Sequence, residues 1–231
     1  MRNVLVILLA LAPAGCRSVA QPSVRNNAPD IRHLHPAPGT RLVRFQELDE
    51  GVYKGSKPKT DADYEFLQSK GVKYIVQLKF FPGLNLGEKR KARKYGMTLL
   101  AGTISASSFE PSKQHVDAVL CLLRDKRYHP VYLHCDLGRD RAMLLAGLYQ
   151  MYYKGKSKED AYKEMEYYGF KTSWTLAGLK SYFDHHSQPP VSQFLPDCAR
   201  HSVQANEPPA AAAASQEIDL QEILDREVPC R

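Results

Sequence analysis

At 231 residues the chain has room for one domain of ordinary size with appendages at its ends. A composition of 43% hydrophobic and 25% charged residues is that of a globular protein and excludes a chain disordered throughout. The formal charge of +7 is unevenly held: residues 41–188 carry 25 basic and 17 acidic side chains, whereas residues 189–231 carry 3 and 7. The basic middle suits an anionic ligand or a membrane surface, although a solvated basic face produces the same excess.

In chain order, residues 3–12, NVLVILLALA, form a short apolar run behind Arg2, followed by small residues and Cys16. The run has the shape of a secretory signal and is too short to span a membrane. LAPAGC, residues 11–16, resembles a bacterial lipobox, whose cysteine becomes the lipidated first residue of the mature chain; Pro13 departs from that pattern. Residues 1–16 are therefore expected to be a signal peptide, either with Cys16 lipidated or with plain cleavage nearby. The mature protein is expected on the periplasmic side of a bacterial membrane. Residues 17–40 hold four prolines and few large apolar side chains, as a flexible tether does.

A folded domain is expected over 41–188. LVRFQELDEGVYKGS (42–56) alternates apolar and polar residues and predicts two short strands around Asp49–Gly51. TDADYEFLQSKG (60–71) opens on capping residues, repeats apolar side chains at helical spacing and stops at Gly71. Residues 72–80 and 97–105 read as strands, and the basic segment 86–96 between them as a helix. Residues 110–127 predict a helix with Pro111 near its start and an apolar face of Val116, Val119, Leu120 and Leu123. PVYLHC (130–135) is a strand, and 142–153, 157–168 and 173–187 are helices. Strands alternating with helices, then a helical cluster, predict an α/β sandwich around a mostly parallel sheet. Residues 189–231, rich in proline and alanine, are expected to be largely disordered, with one short acidic helix at 217–227.

Five cysteines do not make a disulfide framework here. Cys16 belongs to the export segment and Cys121 to a helical apolar face. Cys198 and Cys230 are candidates to pair with each other in an oxidising compartment. Cys135 is left as a free thiol.

The chemistry centres on HCDLGRDR, residues 134–141. A strand entering a tight loop and then a helix presents successive backbone N–H groups and a helix N-terminus to an anion. The same field favours the thiolate of Cys135, a nucleophile. Gly138 lets the loop turn where a side chain would obstruct it. Arg141, at the helix start, can place its guanidinium fork across two phosphate oxygens. Spacing alone is weak support, since Cys121 and Arg127 repeat it without a glycine and on a helical face.

In this setting HCDLGRDR resembles the signature loop of the cysteine-dependent protein tyrosine and dual-specificity phosphatases. GVYKGSKPKTDADYEFLQSKGVKYIVQL (51–78) resembles the N-terminal part of the compact dual-specificity branch. The resemblance spans roughly residues 42–185. It implies a dual-specificity-phosphatase-like α/β fold and hydrolysis of phosphate monoesters through a phosphocysteine. By position, Cys135 is implied as nucleophile, Arg141 as phosphate clamp and the backbone of Asp136, Leu137, Gly138, Arg139 and Asp140 as the cradle. His134 is implied to support the thiolate. Neither metal nor cofactor is needed.

Many relatives take their general acid from an aspartate on an upstream loop. Here that loop, GTISASSFEPSK (102–113), offers only Glu110, and Asp117 lies within the next helix, where a solvated surface charge is expected. Asp140 is the better candidate, because the charge of a bound phosphate favours its protonated form. The placement is similar to a bacterial subgroup with the pattern His-Cys-x-x-Gly-Lys-Asp-Arg, many of whose members accept phosphoinositides; Arg139 stands where that subgroup has lysine. Ala142 departs from the family's serine or threonine, whose hydroxyl helps the sulfur leave. Two outcomes follow: an enzyme slow in its second step, or a phosphate-binding protein without turnover. A rhodanese-like sulfur transferase is a third reading, one that does not require Arg141. The expected partner is a phosphorylated small molecule, lipid or protein, with a membrane reached through the lipid anchor. A monomer without nucleic acid is expected.

Overall fold

The computed structural model describes residues 35–80, 85–171, 173 and 176–199. The expected signal peptide, Cys16, most of the tether and Cys230 lie outside the described residues.

The alternating stretch before residue 57 forms β1 (Gln46–Asp49) and β2 (Val52–Ser56), antiparallel and joined through Gly51 at φ 73°. Helix α1 (Asp61–Ser69) begins with a capping box in which Thr60 and Asp63 bond each other's backbone amides. There follow β3 (Tyr74–Lys79), α2 (Leu86–Lys94), β4 (Thr98–Thr103), α3 (Lys113–Arg124) and β5 (Val131–Cys135). The chain ends its folded part with α4 (Arg141–Lys154), α5 (Lys158–Tyr167) and α6 (Ala177–His186). The five strands lie in the order β1-β2-β5-β3-β4, parallel except for β1. This is the mostly parallel α/β sandwich that the alternation predicts.

Side chains alternate across the central strand, and that alternation divides the molecule. Val131, Leu133 and Cys135 enter the larger core, built with α3, α4, α5 and α6. Tyr132 enters the smaller core with Tyr64 and Leu67 of α1 and Ala92 of α2. Burying each large apolar side chain of this kind contributes about 1.5–3 kcal/mol. Helix α4 is buried on all sides from Ala142 to Met151, which explains its lack of a polar face. Gly147 lets α5 come close there: a Cβ would fall 2.5 Å from Met165 Sδ, so that side chain would have to shift.

Two expectations are corrected. Asp117 is not a solvated charge: it is 7% exposed and takes Lys113 Nζ at 2.5 Å. The reason is that α3 is enclosed on more than one side, with every residue from Val119 to Leu123 buried. Cys121 is not ordinary core packing, nor does Cys198 pair with Cys230: Cys121 and Cys198 form a disulfide across 77 residues. Beyond α6 the chain makes a 3-10 turn at Val191–Phe194, packs Phe194 against His186 with ring centres 5.2 Å apart, and so brings Cys198 to α3.

Candidate active site

Cys135 ends the central strand at the carboxyl edge of the parallel sheet, where crossover connections leave room for a ligand. It is buried, and it is the free cysteine among the described residues. The loop after it rests on the end of β2. Gly138 has φ 64°, and a Cβ there would lie 2.4 Å from the carbonyl carbon of Gly55 and 2.6 Å from the nitrogen of Ser56. Glycine is thus needed both for its backbone angle and for the close approach. Lys57 N donates to Asp136 O at 3.2 Å, and Arg44 donates to Leu137 O at 3.2 Å and to Tyr168 O at 2.8 Å. Arg44 itself has φ 57°, a left-handed conformation costly for a side-chain residue and here held by those two bonds. Asp140, at the N-cap of α4, makes no side-chain cap bond, so no capping side chain takes the first-turn amides an anion would use.

Arg141 opens α4. Its Nη1 donates to Leu78 O at 2.9 Å, which fixes the guanidinium at the end of β3, and Asp136 Oδ2 lies 3.9 Å from Nη2. Its Nε is buried without a hydrogen-bond partner among the described residues. A buried donor of that kind costs roughly 1–3 kcal/mol until an acceptor arrives. Ala142, fully buried, brings no hydroxyl to the site.

His134 points to the opposite face. Its Nε2 meets Glu88 Oε1 of α2 at 2.7 Å and its Nδ1 faces Cys135 O at 3.3 Å. Both ring nitrogens therefore face oxygen atoms. Glu88 Oε2 also takes Lys57 Nζ at 3.0 Å and Gln77 Nε2 at 2.5 Å. Burial alone would raise the Glu88 carboxyl, but His134 and Lys57 more than offset it and hold the group below its usual range. This chain of contacts ties the strand before the loop to α2 and to the segment after β2.

A family model described as "DSP-PTPase phosphatase fused to NAD+ Kinase" matches residues 35–177. The chain belongs to this DSP-PTPase phosphatase family. Among solved structures, it is similar to the core catalytic domain of the PP-IP phosphatase SIW14 from S. cerevisiae, in complex with citrate. That match has 15% identity and a TM-score of 0.55, and covers 64% of this chain and 88% of that one. It is similar to P. aeruginosa TpbA at 22% identity and a TM-score of 0.53, covering 69% and 91%. A TpbA variant in complex with pTyr matches at 20% identity and a TM-score of 0.52, covering 65% and 86%. No curated protein matches the chain significantly.

For a DSP-PTPase member the two candidate acids sit in different settings. Asp140 accepts Arg139 Nε at 2.9 Å and Nη2 at 3.2 Å, a fork closed on its own neighbour, and this pairing raises the Arg139 guanidinium above its usual range. Glu110 is engaged by α6, through Ser181 Oγ and through His185 Nδ1 at 2.6 Å. Its loop is seated there because Gly178 carries no side chain: a Cβ would fall 1.9 Å from Phe109 O. Among the described residues no cluster of His, Cys, Asp and Glu has the arrangement to hold a metal ion. Tyr152, Tyr153 and Tyr168 pack against the larger core.

The loop 134–141 was visible in the sequence because its members are contiguous. Glu88, Lys57, Arg44 and Lys54 were not singled out. Glu88 had one signal: it is the sole acid in the basic segment 86–96, three residues after Asn85, whose side chain accepts its amide at 3.1 Å. Arg44 and Lys54 gave none, since each stands at a polar position of an alternating stretch.

Proposed function

We propose that this chain is a phosphate monoester hydrolase that works through a phosphocysteine. Cys135 sulfur attacks phosphorus, the S–P bond forms and the P–O bond to the leaving group breaks. Arg141 and the amides of residues 136–140 stabilise the equatorial oxygens, and Asp140 gives its proton to the leaving oxygen. Water then attacks phosphorus with Asp140 as base, phosphate departs and the electron pair of the S–P bond returns to sulfur. The observation that carries this reading is the buried thiol of Cys135 in one loop with Arg141, whose buried Nε lacks an acceptor among the described residues.

Arg139 and Asp140 add a step to the binding event. An incoming phosphate competes with the Asp140 carboxylate for the Arg139 fork, and the released carboxyl is then beside a dianion that favours its protonated form. The substrate is a phosphorylated small molecule, lipid or protein. The relatives in complex with pTyr or named for PP-IP support phosphotyrosine and inositol phosphates as the first candidates. An exported, lipid-tethered location is part of the proposal, supported by the Cys121–Cys198 disulfide, a bond characteristic of oxidising compartments.

Ala142 favours a second reading, phosphate binding without turnover, because a buried alanine offers the departing sulfur no hydrogen bond. Phosphate release by the full-length protein decides between them. The test uses phosphotyrosine peptide, phosphoinositides and inositol polyphosphates, with Cys135→Ser as control. Release on at least one substrate that is abolished in Cys135→Ser supports hydrolysis. Saturable binding with no release, and release appearing only in Ala142→Thr, supports the second reading. Release that survives Cys135→Ser refutes both.

A further inference from the structure

Lys54, in the middle of β2, is completely buried, and its Nζ has no hydrogen-bond partner among the described residues. A lysine is almost never placed this way without a paired charge, because desolvating an ammonium is costly. Its tip lies 3.6 Å from the centre of the Tyr168 ring, at the end of α5. Parallel pairing sets Lys54 beside Leu133 and Ser56 beside Cys135, so Lys54 stands one step below Cys135 on the neighbouring strand. Val52 of β2 and Leu133 and Cys135 of β5 all enter the larger core, and by alternation Lys54 is directed to that same side.

The charged groups facing the amine come from three elements. Glu164 of α5 and Cys135 of β5 attract it, and Arg44, ahead of β1, repels it. Glu164 makes no hydrogen bond to the amine among the described residues; its oxygens accept from Gln46, Gln150 and Lys156. Burial, the largest influence, pushes the lysine well below its usual range. A buried amine of this kind holds a proton only when a negative charge beside it offsets the lost hydration.

We propose that Lys54 is a positioning residue for the nucleophile, the buried counter-charge that holds Cys135 as a thiolate. The inference rests on the reading of Cys135 as nucleophile. When the thiolate forms, the proton of the sulfur passes to the Lys54 amine, so that thiolate and ammonium stand side by side. The same ammonium stabilises sulfur when the S–P bond breaks in the second step and the electron pair returns to it. That is the moment at which Ala142 supplies no hydroxyl. Lys54 thus takes over part of a task that a side chain of α4 leaves open.

The test follows alkylation of Cys135 by iodoacetamide, a neutral reagent, in the full-length protein over a pH series, with labelling read at the Cys135 peptide by mass spectrometry. Lys54→Met is expected to move the midpoint of labelling upward by about one pH unit, equivalent to about tenfold slower labelling at a fixed pH below it. Lys54→Arg, which keeps a cation, is expected to restore the wild-type midpoint. Lys54→Met should fold, because it removes an unpaired buried amine and its unfolding temperature should not fall; Lys54→Gln repeats the comparison if it does not. A wild-type midpoint in the neutral variants overturns the proposal, as does an equal shift in Lys54→Arg, which would mark a packing effect. Phosphate release by the wild type is recorded alongside. Release without a midpoint shift removes Lys54's role alone, whereas a shift without release leaves that role standing and removes the hydrolase reading.

Discussion

Replacing Gly138 with alanine adds one methyl group and tests two physical demands of the loop at once. The first is conformational: at φ 64° an L side chain costs about 1–2 kcal/mol. The second is space. The added carbon would sit 2.4 Å from the carbonyl carbon of Gly55 and 2.5 Å from its oxygen, so the loop must lift by about 1 Å to reach ordinary contact. If the loop holds its place, overpacking adds about 1–3 kcal/mol, for a total near 2–5 kcal/mol. If it lifts, the amides that would cradle phosphate move by about the distance known to cost roughly 10²-fold in rate. Gly155→Ala separates the two demands. Gly155 ends α4 at φ 68° with nothing within 4 Å of the position a Cβ would take, so it carries the conformational cost alone. Urea unfolding and phosphate release are measured for both variants. Gly155→Ala should lose about 1 kcal/mol and keep full activity. Gly138→Ala should lose at least twice that stability, or keep it with activity down roughly 10²-fold or more. Equal stability losses in the two variants with wild-type activity in Gly138→Ala would refute the account of a loop seated on β2.

Glu88 gives a pH signature. Its carboxyl titrates lower in the folded chain than in the unfolded one, so the unfolded chain takes the proton first. The stabilisation is present above the ordinary carboxylate range, near pH 4.3, and is lost as pH falls through and below it. Glu88→Gln should therefore cost about 3 kcal/mol at neutral pH, by leaving His134 and Lys57 without their anion, and should flatten the loss of stability on acidification. Equally steep acid unfolding in both proteins would contradict this. Asp140→Asn should slow release from alkyl phosphates by about 10²-fold or more while sparing aryl phosphates whose leaving group needs no proton; equal losses on both would remove Asp140 as the acid. Cys121→Ser should lower stability by about 4–5 kcal/mol, the chain-entropy value for a closure of 77 residues, with little change in activity.

The fold was legible because each element announces itself locally. Gly51, Gly71 and Gly96 take positive φ where the pattern breaks, and the stretch preceding Cys135 has the apolar character of a strand buried on both faces. The loop was legible because nucleophile, glycine and arginine lie within seven residues. What surrounds the loop was not. Glu88 reaches His134 across 46 positions and Arg44 reaches Leu137 across 93; the pattern marks Glu88 as an unusual acid but does not say which residue it meets, and it does not mark Arg44 at all. Lys54 reads as the outward residue of an alternating strand, yet both faces of β2 are covered and every residue of it is buried. Cys121 misled for a similar reason: a cysteine on an apolar helical face looks the same whether it packs or is bonded, and its partner arrives only after α6 has turned the chain back.

The most direct test of the central claim is to catch the intermediate. The full-length protein is mixed with an aryl phosphate, quenched in acid within the first turnover, and digested for mass spectrometry. The account predicts phosphate covalently bound to Cys135, absent in Cys135→Ser and accumulating in the wild type because Ala142 slows its hydrolysis. Rapid phosphate release with no phosphorylated Cys135 at any quench time, and with Ala142→Thr leaving the rate unchanged, would contradict it.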